Sequence, residues 1–115
     1  MDSALLALGG EVDLTLRPEL MWRIAEALEY DDVRLDCCAV TYVDAGSLRI
    51  IDGARRLLAL RGSRFTVVRT SSTFDRVCAL AGFEELRRIV PAPRVSDRVI
   101  RVPDQWTNSD SPEDR

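Results

Sequence analysis

The chain has 115 residues, 46% of them hydrophobic, a net charge of −3 and a pI near 5.0. That is enough for one domain with its own core, and it argues against non-specific nucleic-acid binding. There is no histidine, which excludes Ser-His and Cys-His catalysis in their usual form and histidine-ligated zinc.

All 16 basic residues are arginine. Without lysine the chain has no Walker-type phosphate lysine and no Schiff base, and the bias points to a GC-rich bacterial genome. No apolar run is long enough to cross a bilayer. The Met1-Asp2-Ser3 start lacks a basic n-region, so a cytoplasmic protein is expected.

In chain order, residues 4–8 are apolar and end in Gly9-Gly10, after which Val12, Leu14 and Leu16 alternate with polar residues. This reads as one strand, or as two in a hairpin around the glycines. Pro18 suits the first turn of a helix. Leu20, Met21, Ile24, Ala25 and Leu28 then recur at helical spacing, with Trp22 at the core edge and Glu19, Arg23, Glu26 and Glu29 on the other side. Asp31-Asp32 ends that helix.

Val33, Leu35 and Cys37 alternate with Arg34 and Asp36, and residues 40–43 continue the strand. The acidic Asp44 and the small Ala45-Gly46-Ser47 follow. The next helix places Leu48, Ile51, Ala54, Leu57 and Leu58 inward and Arg49, Asp52, Arg55, Arg56 and Ala59 outward. It stops at Arg61-Gly62. Phe65, Val67 and Val68 make a strand. Thr70-Ser71-Ser72-Thr73 offers caps for a helix carrying Phe74, Val77, Cys78, Leu80 and Ala81, which Gly82 ends. Leu86, Ile89 and Val90 close the domain as a short strand or helix end.

From Pro91 onward the composition turns proline-rich and polar, so residues 92–115 are expected to be a largely disordered tail. Val95, Val99, Ile100 and Val102 are placed to dock back as a strand or short helix. Trp106 reads as an anchor for another chain or as packing on the domain. Cys37 and Cys38 are adjacent and Cys78 stands alone, so the three make no metal set and read as reduced, partly buried thiols. No cofactor is expected.

Strands alternating with helices predict an α/β sandwich: helices packed on a mixed sheet of about four to five strands. At this point the chain resembles the STAS domain, the fold of the bacterial anti-sigma factor antagonists. Gly10-Glu11-Val12-Asp13 resembles the family's Gly-Glu-Leu-Asp, and Pro18-Glu19-Leu20 opens the next helix. Residues 35–44 resemble the strand ending Asp-Leu-Ser-X-Val-X-Phe-Ile-Asp. Residues 80–86 resemble the Leu-X-Gly-Leu/Phe segment near the domain's end. The likeness covers about residues 4–91, and a STAS-like domain over 1–91 is expected.

The resemblance implies a non-enzymatic regulator that docks on a kinase-type anti-sigma factor, frees a sigma factor, and is controlled by serine phosphorylation. The alternative is a docking module without a phosphate switch, in a stress-signalling scaffold or as accessory subunit of a membrane transporter. Neither contacts nucleic acid or inserts into a membrane, and the oligomeric state stays open. Asp44 matches the family's acidic residue and Ala45 its first small position. Gly46 falls on the usual acceptor serine, Ser47 on the usual glycine, and Leu48 on the leucine.

The corner therefore carries two readings: Ser47 is a displaced phospho-acceptor, or Ser47 or Asp44 is only an N-cap. The docking surface is expected to comprise Asp13, Asp44, Ala45, Gly46, Ser47, Leu48 and Arg49. Asp13 has a second reading as a turn-former. Arg55 and Arg56 read as a solvated face or as contacts for an acidic partner.

Overall fold

The computed structural model describes residues 3–87 and 98–103. Its elements run β1 (Ser3–Val12), α1 (Arg17–Ala27), β2 (Asp32–Val43), α2 (Ala45–Leu60), β3 (Arg64–Thr70), α3 (Ser72–Ala81), a 3-10 turn (Glu84–Arg87) and β4 (Arg98–Val102). The α/β, STAS-type architecture is present: a four-stranded sheet in the order β3-β2-β1-β4 with three helices against it. All described pairings are parallel. The expected mixed sheet is corrected on that point, because successive described strands are joined by crossovers rather than hairpins.

The glycines at 9 and 10 make no hairpin. β1 runs through them as one strand and shifts register against β2 on both sides of Gly9-Gly10. Gly10 takes a positive φ of 68°, which a residue with a Cβ adopts only with strain, so the irregularity sits where it is least costly. β4 lies beyond residue 91 and pairs with β1 from Ala4↔Arg98 to Leu8↔Val102. The stretch set apart as tail thus supplies an edge strand, and Ile100 and Val102 are buried in the core. Val95, Trp106 and the last strand or helix expected at Ile89 and Val90 lie outside the described residues.

The core is one cluster. Leu6, Leu8, Val33, Leu35 and Val67 on the strands meet Leu20, Ile24, Leu48, Ile51 and Phe74 on the helices. The inward arc of α1 is narrower than its apolar spacing suggests, since a helix lying on a sheet buries one stripe. Leu20, Ile24 and Ala27 are buried, while Met21 is 57% and Trp22 73% exposed. On α2, Leu57 is likewise 56% exposed. Asp52, expected outside, is buried, with one carboxylate oxygen accepting from Arg55 and the other ion-paired with Arg56, each at 2.9 Å.

Because the strands are parallel, the carboxyl ends of β1, β2, β3 and β4 share one rim of the sheet. The β1–α1 turn, the start of α2 and the start of α3 collect there. In open α/β sheets this rim is where function is usually built.

Candidate functional site

The corner after β2 is held from three sides. The Asp44 amide donates to the Val12 carbonyl at 3.2 Å, tying the ends of β1 and β2 together. Asp44 is the N-cap of α2, in extended backbone, and its Oδ1 accepts from the Ser47 amide at 2.8 Å. Its Oδ2 accepts from Nη2 of Arg17 at 2.9 Å. Arg17 stands at the first position of α1, so the ion pair joins the starts of two neighbouring helices.

Burial alone would raise the Asp44 carboxyl pKa. Hydrogen bonding from Ser47 and the Arg17 guanidinium outweigh it and hold the group below 3.8. A carboxylate at a helix N-terminus is favoured by the macrodipole as well.

Gly46 is half-buried, and the Arg17 guanidinium lies directly over it. A Cβ placed on Gly46 would overlap Nη2 and the guanidinium carbon. The position that carries the acceptor serine in the resembled family is thus a glycine whose side-chain space an arginine fills. Ser47 is 0% exposed, and its Oγ is buried. The placing of Ser47 on the docking surface is corrected: residue 47 is the third residue of α2, and helical geometry turns it toward the sheet. Asp44, not Ser47, supplies the cap.

Leu48 is buried in the core, since it opens the inward stripe of α2. Ala45 is half-buried and Arg49 exposed, one turn along the helix. Asp13 is half-buried and spends its carboxylate inside its own turn, accepting from the Thr15 amide at 3.1 Å and the Thr15 hydroxyl at 2.7 Å. Ser71 caps α3, accepting from the Phe74 amide at 3.1 Å. The rim therefore assembles Arg17, Asp44, Ala45, Gly46 and Arg49, while Ser47 and Leu48 point away from it.

Arg17 is the residue that sequence reasoning missed. Its contact spans 27 positions, which no local pattern encodes. The available signal was its place just before the helix-starting Pro18, at the rim where a parallel sheet gathers its connections.

The thiols are not part of this site. Cys37 is fully buried, which pushes its pKa well above the usual thiol value, with Asp36 adding to the effect. Burial, reinforced by Asp75, raises Cys78 to about 12. Among the described residues, no three His, Cys, Asp or Glu side chains come together as a metal set. No described helix is long and apolar enough to cross a membrane.

No curated protein and no solved structure matches the chain significantly. A family model does, over residues 1–91, and its description reads "Mlab, STAS domain". STAS domains are generally non-enzymatic regulatory or binding modules. With the match covering most of its length and the helix-on-sheet architecture agreeing, the chain belongs to the Mlab STAS-domain family.

Proposed function

We propose that this chain is a constitutive docking module, a non-enzymatic subunit that holds a partner protein without a phosphate switch at residues 44–48. The observation that carries the reading is Gly46 lying under the Arg17 guanidinium at the acceptor position. A phosphoryl group adds about −1.5 to −2 charges and needs a hydroxyl that a kinase can reach. Gly46 has none, and the Ser47 hydroxyl is enclosed.

A regulator released by phosphorylation loses its off-state in such a chain. A subunit that stays bound loses nothing. This favours an accessory subunit of a larger assembly, such as a membrane transporter, over a switched antagonist of a kinase-type anti-sigma factor. The antagonist reading keeps the support of the ordered motifs between Gly10 and Leu86.

Affinity capture of the full chain from its native host, followed by mass spectrometry, tests both. The docking reading expects a stoichiometric partner and an unmodified peptide across residues 44–48. Phosphate on that peptide, or loss of the partner on addition of ATP, would overturn it. Gly46→Asp, which places a charge where the family carries phosphoserine, is expected to release the partner. Ser47→Ala is not.

A further inference from the structure

The rim is one end of a longer surface. From Gly46, helical spacing continues through Ile50 and Gly53 to Leu57 along one side of α2. Facing it across a groove are Met21 and Ala25 of α1 and Leu28 at its C-cap, and the groove has a volume of about 360 Å³. Its walls are apolar and its middle is shallow-sided at Ala25 and Gly53.

Among the described residues, nothing requires position 53 to be glycine. A Cβ there would meet nothing within 4 Å, and its φ is not positive. A glycine inside a helix destabilises it by roughly 0.5–1 kcal/mol relative to alanine. Among the described residues the missing side chain serves no packing, and the space it leaves is open to an added ridge.

The rims of the groove carry opposite charge. One residue further round α2 are the exposed Arg49 and Arg56, the latter also paired with Asp52, and on the α1 side are the exposed Trp22 and, just past the helix, Glu29. We propose that this groove receives an amphipathic helix of a partner protein. Its apolar stripe lies over Gly53, its acidic edge faces Arg49 and Arg56, and its basic edge faces Glu29.

A second copy of this chain fits less well. It would bring another concave groove, leaving the space over Gly53 unfilled, whereas a single helix brings a ridge. Trp22 on the rim is the kind of side chain that anchors such contacts. The proposal deepens the docking-module reading by naming a surface and the chemistry of its occupant.

The test uses the full chain and a synthetic amphipathic helix of roughly five turns, with a leucine stripe, glutamates along one edge and lysines along the other. A mirror peptide exchanges the two edges. Titration calorimetry is expected to show saturable binding of the matched peptide and weaker binding of the mirror. Gly53→Leu, which fills open space and therefore folds, is expected to weaken matched binding by about tenfold or more, a difference of about 1.4 kcal/mol.

Equal affinity in Gly53→Leu, or no saturable binding of the matched peptide, would overturn the proposal. So would sedimentation showing a wild-type dimer that Gly53→Leu dissociates, which would assign the groove to a second copy. None of these results bears on residue 46: the phosphate-free reading stands or falls on the modification state of the 44–48 peptide.

Discussion

Arg17 and Asp44, at the starts of two different helices, share a 2.9 Å ion pair that covers Gly46. One contact thus caps α2, links α1 to it, and occupies the space in which a longer residue 46 would place its side chain. The pair is about a quarter exposed on each side, so the attraction itself is modest, in the range of about 0–1 kcal/mol. Its consequence is steric as much as electrostatic.

The cap is worth more than the pair. Asp44→Ala removes the acceptor for the Ser47 amide and leaves the Arg17 guanidinium without its partner. The expected loss is about 1–2 kcal/mol of stability, read from urea unfolding with an unchanged m-value. Asp44→Ser should recover most of it by restoring the cap alone.

Gly46→Ser forces the guanidinium aside. Because the obstacle is the end of a flexible side chain, the variant is expected to fold with a loss near ~1 kcal/mol or less. In Arg17→Ala the same serine should be accommodated without penalty. A double-mutant cycle on unfolding free energies should therefore return a coupling between positions 17 and 46. Additive effects would show that the guanidinium does not hold that space in solution.

The Asp44 carboxyl is held below its ordinary value of 3.8. A depressed folded-state pKa contributes stability that is present above the unfolded value and lost as pH falls through the folded one. Wild-type stability should thus fall below about pH 3.8 more steeply than that of Asp44→Asn, which lacks the titrating group. Parallel acid-unfolding curves for the two proteins would refute this assignment.

Of the three cysteines, Cys37 and Cys78 are buried with raised pKa values, and Cys38 is half-buried. Thiolate is the reactive form. Labelling with a disulfide reagent near pH 8 should modify Cys38 in the native protein and reach the other two only on unfolding, as peptide mapping would show.

Much of the fold was legible because it is written in short-range patterns. Alternation over Val33, Leu35 and Cys37 marked β2, and the caps at Asp44 and Ser71 marked the starts of α2 and α3. The width of the buried stripe was not legible. Met21, Trp22 and Leu57 have the hydrophobicity of core residues, but only the geometry of a helix on a sheet decides which arc is covered. The same limit hid the orientation of Ser47, whose position after the acidic residue suggested exposure until α2 was seen to begin at Ala45.

The sequence by itself determined the order of elements from α1 to α3, the lack of histidine- and lysine-based chemistry, and the glycine at the acceptor position. Those are properties of residue identity and near neighbours. Tertiary structure alone decided that every described strand runs parallel, that residues 98–102 complete the sheet, and that Arg17 lies over Gly46. Such contacts join residues tens of positions apart, and they become favourable only once the chain between them has already folded.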